Sequence, residues 1–515
     1  MRVQLMISER LKSKTTFGFL LVCVLAVLIF LEFLTFVCWL LLGFLGANDI
    51  YAGLLNLESC FFYASSSLAP LFTSLLMFSW LPILAFTSFL KGRFKQSLNP
   101  KAAFPDKVSI FARLTLERAV KPTPLDRHCG FIAVFSLLSI LLTTTYPYLP
   151  ALNPSGKFVG VDIPFYEKAL VELRGLGSFQ DVVSAAFVHY QDRPLSILLL
   201  FFMWRLTWLS PLEAAQFSPV ILGLTLVLCT FLFARLFRFN MFSASLTMLF
   251  TSFSFHVTVG MYGGFVANWV AVIFLYGFWG FTFAALKKGA WSCLTPTVAL
   301  QGLLFFSHAN TWAMCMGVVL VLLLLFLLER ISKGGDGFKC QILFTILFCG
   351  VLLNTVRNSL LNVSLERVEA AEVAKTGISL ENLQMFWHIL NVSLFSYKGT
   401  SFMNPPLLAL AFIGSLTIYF NDDKASKIFK AFIIASTFPF VLGDQVIQTR
   451  ILYNLPLQIF ALIGLYALQA AVEFCFEREE AAKLNKLLFL LVVFVNLNYA
   501  LRCSFNLTAI NFFPG

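Results

Sequence analysis

Long apolar blocks alternate with short polar segments along almost the whole chain, beginning with the block at residues 17–45. Several blocks exceed the ~18 consecutive apolar residues that indicate a membrane-spanning helix. The pattern predicts an all-α polytopic membrane protein with about thirteen transmembrane helices. The other predicted spans are 61–90, 130–145, 217–233, 242–260, 265–286, 295–307, 312–328, 339–353, 407–420, 431–442, 452–472 and 487–499.

Basic residues give the predicted helices a direction. Arg2, Arg10, Lys12 and Lys14 precede the first block, which places the N-terminus in the cytoplasm by the positive-inside rule. Most of the 37 Lys and Arg then fall in cytoplasmic segments, above all in residues 91–128. This distribution explains the net charge of +11 without nucleic acid as a partner. It predicts an integral protein of the plasma membrane.

The basic segment 91–128 contains an amphipathic run at 108–120, which predicts a helix on the cytoplasmic leaflet. Its charge is a topology signal, with lipid-headgroup binding as the alternative. Four parts follow from the pattern. They are an N-terminal hairpin with the basic segment at 1–128, a transmembrane core at 129–353 with an external loop at 146–216, an external segment at 354–405, and C-terminal helices at 406–515.

The external loop concentrates ionisable groups in a chain of which only 12% is charged. They include Asp162, Glu167, Glu172, Asp181, His189, Asp192 and Arg193. Residues 163–176 have helix-forming composition, and Asp162 stands where a helix cap would be. The block at 194–209 is short and contains Arg205, so we expect a juxtamembrane helix along the outer leaflet. Such a density of charge indicates that this loop carries the function.

An enzyme that uses a lipid-phosphate sugar must hold a phosphate and activate an acceptor. Asp162 could deprotonate the acceptor or bind a metal, while Arg193, His308 and Arg450 could neutralise the phosphate. Purely structural roles are the alternatives: Asp162 as a helix cap, Arg193 as a headgroup anchor and His308 as a hydrogen-bond partner of a neighbouring helix. Further polar residues expected on the same face, as substrate-binding groups, are Asp192, Tyr166, His189, Asp444 and Gln445. Asn268 is also expected at or near that face.

Several of these motifs resemble the GT-C superfamily of integral-membrane glycosyltransferases, which includes protein O-mannosyltransferases and aminoarabinose transferases. The resemblance rests on Gly160-Val-Asp162 with Tyr166, on Asp192-Arg-Pro-Leu195, on Ser307-His308, and on Gln448-Thr-Arg-Ile-Leu-Tyr453 followed by Pro456. The last two motifs are similar to late segments of archaeal members. Two features depart from the family pattern, because Ile163 stands where many members have a second acid, and a single Pro194 replaces a double proline.

The resemblance implies a GT-C-like catalytic core with juxtamembrane helices in its first large external loop. It implies a polyprenyl- or dolichyl-phosphate sugar donor and a protein, lipid or glycan acceptor at the extracytoplasmic face. Asp162 would be the catalytic base or would bind a divalent cation, Mg²⁺ or Mn²⁺.

Two other functions stay open. A transporter or lipid flippase would need paired charges at mid-membrane, where Glu32 is the one acid that the pattern places and is expected to face other helices or to be protonated. A catalytically silent GT-C-like assembly subunit is the other alternative. Cys60 and Cys503 lie near the outer face, where they could pair.

Overall fold

The computed structural model describes residues 2–46, 68–81, 104–334, 337–361, 402, 404–421, 423–442 and 453–509. Eighteen α-helices and a few short 3-10 turns make up the regular structure of these residues, as the apolar pattern predicts. The helices are α1 (Arg2–Leu45), α2 (Ala69–Phe78), α3 (Phe104–Val120), α4 (Cys129–Thr145), α5 (Ile163–Arg174), α6 (Phe179–His189), α7 (Pro194–Arg205), α8 (Pro211–Leu236), α9 (Met241–Ser252), α10 (Phe255–Gly263), α11 (Val266–Lys288), α12 (Leu294–Ser307), α13 (Ala309–Lys333), α14 (Gly337–Leu361), α15 (Pro405–Tyr419), α16 (Lys424–Leu442), α17 (Leu457–Cys475) and α18 (Arg478–Ala509).

Nine helical segments of the described residues are long and apolar enough to cross a membrane, which identifies an integral membrane protein. They are Gly18–Leu45, Pro124–Tyr148, Pro211–Leu236, Met241–Gly263, Val266–Lys288, Ala309–Ser332, Gly337–Ser359, Leu457–Cys475 and Arg478–Thr508. Of the remaining predicted spans, α12 and α15 have 14 and 15 residues, fewer than the ~20 that a span usually needs. The count of thirteen therefore stays a prediction.

The described helices place polar and basic groups at opposite ends of the bundle. Helix α11 has 23 residues, so its basic end at Lys287 and Lys288 lies about 35 Å from its first residue. Ion pairs join other helices at that basic end, where Arg118 contacts Glu473 and Lys427 lies 2.6 Å from Glu329. The polar loop between α4 and α8 packs at the other end.

The predicted span 242–260 was expected to be one helix, but Phe253 and Ser254 divide it into α9 and α10. Hydroxyl groups surround the break, where Thr251, Ser252 and Ser254 each donate to a nearby backbone carbonyl. In the most apolar 18-residue window of Met241–Gly263, 94% of the residues are buried, so protein surrounds the interrupted backbone.

Helix α7 has 12 residues and is about 18 Å long, well short of the ~30 Å hydrocarbon core. That length fits the predicted position along the outer leaflet, and α8 is the next full-length helix. Helix α5 covers most of the stretch predicted to be helical after Asp162. The pairing of Cys60 with Cys503, which the sequence leaves open, involves a residue outside the described ranges, whereas Cys503 itself is buried.

Helices α15 and α17 cross at Gly414 and Gly464. A methyl group on Gly414 would overlap the carbonyl of Phe460, and one on Gly464 would overlap the carbonyl of Leu410. Small residues therefore let the two backbones approach each other, as is common between membrane helices.

We expect Gly414→Ala and Gly464→Ala each to lower the free energy of unfolding by about 1–3 kcal/mol, because neither backbone can yield to the added methyl group. Gly317→Ala is the matched control, since its methyl group would meet no atom within 4 Å. It should be neutral or stabilising by about 0.5–1 kcal/mol. Thermal unfolding midpoints in detergent measure all three, and equal midpoints would contradict the close crossing.

Candidate functional site

A recess of about 290 Å³, which includes its opening to solvent, lies at the polar end of the bundle. Four of the residues predicted to form the site meet there: Asp162, Tyr166, Arg193 and His308. The other residues that line it are Phe265, Ala267, Asn268 and Tyr453. Groups from the external loop, α11, the junction between α12 and α13, and the segment before α17 thus converge on one site.

Asp162 is placed by the loop that precedes α5. The backbone N–H groups of Val161 and Asp162 donate to the carbonyls of Tyr262 and Gly263, both at 3.0 Å, which docks the loop on the end of α10. Gly160 makes this approach with φ of +122°, a region that favours glycine. Asp162 stands at the N-cap of α5, but its side chain makes no capping hydrogen bond. The alternative role as a cap is therefore not the one its carboxylate performs, and that carboxylate lines the recess.

Tyr166 forms one buried wall of the recess. Its hydroxyl accepts a 3.0 Å hydrogen bond from the backbone N–H of Ala267, which ties α5 to the start of α11. Burial raises the pKa of the Tyr166 phenol above its usual value. The group therefore stays protonated near neutral pH and keeps a hydrogen to donate.

Arg193 is a largely buried cation, with its side chain 18% exposed. Its Nε and one terminal nitrogen each lie 2.7 Å from Oδ2 of Asp192, and its guanidinium lies 5.0 Å from the centre of the Phe165 ring. Burial opposes the charge, but the interactions with Tyr166 and Asp192 outweigh it, so the pKa of Arg193 lies above its usual value. Arg193 thus contributes a charged guanidinium to the wall of the recess. This position differs from the one expected for the alternative role, an anchor among lipid headgroups.

His308 is 5% exposed and stands at the N-cap of α13. Its Nδ1 accepts from the backbone N–H of Thr311 at 3.2 Å and lies 2.8 Å from the Thr311 hydroxyl. With Nδ1 as acceptor, the proton of the neutral imidazole is on Nε2. The structural role that was the alternative for His308 is therefore present, and the same ring also lines the recess.

Asn268 and Tyr453 also line the recess. The sequence predicts Asn268 on the face of Asp162 and has Tyr453 in a motif of the resemblance, but it assigns neither a specific role. Asn268 Nδ2 donates to the Thr311 hydroxyl at 2.8 Å, whereas Asn268 Oδ1 is buried without a hydrogen-bond partner. The Tyr453 hydroxyl bonds to Trp269 Nε1 and to the carbonyl of His256. An amide in the otherwise apolar start of α11 was the sequence signal for Asn268.

Other predicted site residues do not line the recess. His189 is exposed at the end of α6, and Asp192 forms an ion pair with Arg193. Asp444, Gln445 and Arg450 lie outside the described residues, so their predicted roles remain predictions. In the part of the chain that the structure describes, no three His, Cys, Asp or Glu side chains gather as a metal site, and Asp162 is the one carboxylate in the lining. Divalent-cation binding by Asp162 likewise remains a prediction.

Comparison of the chain with protein-family models and with curated proteins gives no match.

Gly160→Ala should undock the loop that carries Asp162. A methyl group at this position would come within 3.1 Å of Gly264 Cα and of the Met261 carbonyl oxygen, and the backbone conformation is strained for alanine. We expect the free energy of unfolding to fall by about 1–3 kcal/mol and carbodiimide labelling of Asp162, measured by mass spectrometry, to rise. The control is Gly177→Ala, whose methyl group would meet no atom within 4 Å. Unchanged labelling in Gly160→Ala would show that the docking does not position Asp162.

Proposed function

We propose that the protein is a GT-C-like membrane glycosyltransferase that moves a sugar from a polyprenyl- or dolichyl-phosphate donor to an acceptor at the extracytoplasmic face. The observation that carries the proposal is the presence of a carboxylate, Asp162, and a buried guanidinium, Arg193, in one recess. A carboxylate suits the activation of an acceptor, and a fixed cation suits a phosphate leaving group.

The proposed reaction uses the two groups in one displacement. Asp162 takes the proton of the acceptor hydroxyl or amide as that atom forms a bond to the anomeric carbon of the sugar. The bond between the anomeric carbon and the phosphate oxygen breaks, and the lipid phosphate leaves with the electron pair. Arg193 and the Nε2–H of His308 stabilise the negative charge that develops on this oxygen. Asp162 could also hold a divalent cation against the substrate phosphate, although the steps above need only the side chains.

The finer topology belongs to the same proposal. About thirteen spans, with the N-terminus in the cytoplasm, would place the recess outside the cell and the basic ends of the helices inside. Support comes from α11, which begins at the recess and ends at Lys287 and Lys288. Arg450, just before the described segment at Tyr453, is proposed as a second cation for the donor phosphate.

Asp162→Asn should lower turnover by at least ~10²-fold, because it keeps the shape of the side chain but removes the base. The measurement is sugar transfer by purified protein from polyprenyl-phosphate sugars, with donor binding assayed in parallel. Asp181→Asn, an exposed carboxylate of the same external loop, is the control and should transfer at the wild-type rate. Near-normal transfer by Asp162→Asn with donor bound would remove Asp162 from the mechanism. No transfer by the wild type, with donor bound, would favour the silent assembly subunit.

Cysteine labelling tests the orientation. In a cysteine-depleted background, an impermeant maleimide added to intact cells should modify Lys157→Cys and Lys168→Cys, both at exposed positions of the polar loop. It should not modify Lys121→Cys or Lys483→Cys, which are equally exposed at the basic end. Permeabilised cells provide the control, since all four positions should then react. The reverse pattern in intact cells would place the recess in the cytoplasm.

A further inference from the structure

One buried polar side chain of the recess is an amide whose oxygen has no hydrogen-bond partner. Asn268 is 5% exposed, and its Oδ1 has no hydrogen-bond partner. Several other buried polar atoms in the described residues lack partners, but Asn268 is the one residue among them that lines the recess. A buried carbonyl oxygen is normally satisfied by a donor, so this position calls for a donor that a ligand brings.

The contact with the Thr311 hydroxyl determines the orientation of the Asn268 amide. The Thr311 hydroxyl has one hydrogen, and it faces two acceptors, His308 Nδ1 at 2.8 Å and Asn454 Oδ1 at 3.4 Å. His308 Nδ1 is an acceptor because it also receives the backbone N–H of Thr311. The atom of Asn268 that meets the Thr311 hydroxyl must therefore donate, which assigns Nδ2 to that side. Oδ1 is therefore the amide atom that has no partner within the described residues.

The position of Asn268 decides which part of a substrate it would meet. Asp162 is half-buried, whereas Asn268 and His308 are each 5% exposed. In the proposed reaction the sugar lies between its phosphate at Arg193 and the acceptor at Asp162.

We propose that Asn268 Oδ1 accepts a hydrogen bond from one hydroxyl of the transferred sugar and makes the recess selective for sugars that carry it. This inference rests on the proposed glycosyltransferase function. Asn268 is then a specificity-determining residue, and Thr311 positions it. A substrate without that hydroxyl leaves Oδ1 buried without a donor, which disfavours its binding.

The test is the binding of sugar lipids by purified protein. A panel of polyprenyl-phosphate hexoses first identifies the sugar that binds most tightly, and its monodeoxy analogues are then compared one by one. In the wild type, one analogue should bind about tenfold more weakly than its parent, as expected for one neutral hydrogen bond. In Asn268→Leu the parent sugar should bind about tenfold more weakly, and the discrimination against that one analogue should disappear.

Gln301→Leu is the matched control, because Gln301 Oε1 is likewise buried without a partner but does not line the recess. It should keep the full discrimination of the wild type. Asn268→Ala is the second variant and carries the same expectation if the leucine variant does not fold.

Discrimination that persists in the folded Asn268 variant would overturn this inference and leave the proposed function intact. The same holds if no monodeoxy analogue differs from its parent in the wild type. A wild type that binds none of the sugar lipids would overturn the proposed function and the inference together.

Discussion

The docking of the external loop on the end of α10 is the constraint on which the site depends. Two backbone hydrogen bonds, from Val161 to Tyr262 and from Asp162 to Gly263, set the position of the loop. The approach is close because neither Gly160 nor Gly264 has a side chain. A methyl group added to Gly160 would lie only 3.1 Å from the Cα of Gly264. Backbone bonds hold a loop more firmly than exposed side-chain contacts, because low-dielectric surroundings strengthen them. A carboxylate is thereby fixed beside a buried arginine.

Thr311 joins the groups on the other side of the recess. Its hydroxyl lies within hydrogen-bonding distance of His308, Asn268 and Asn454, and its backbone N–H completes the cap of α13. Polar groups buried at the end of an apolar bundle are costly unless they are paired, and they commonly mark functional sites. Within this cluster, Asn268 Oδ1 is the atom without a partner, and for that reason we propose that it binds the substrate.

A second buried polar contact joins the ends of the chain. The sequence predicts that Glu32 faces other helices, and this prediction is confirmed, because Asn498 of α18 donates to its side-chain oxygen at 2.6 Å and to its carbonyl at 2.8 Å. Helix α1 thus packs on the last helix of the described chain. An amide partner of this kind is what a packed Glu32 with a structural role would have, so this contact adds no support to the transporter alternative.

The sequence by itself determined the features that depend on neighbouring residues. Apolar length fixed the membrane class and most helices, and local composition fixed α3 and α5, because helical periodicity and turn chemistry act over a few residues. Only the tertiary structure decided that His189 does not line the recess, that Asn268 packs against Thr311 there, and that a new helix begins after Ser254. The hydrogen bond from Ala267 to Tyr166 spans 101 residues and that from Tyr453 to His256 spans 197. Such contacts depend on how whole helices pack, which no local pattern encodes.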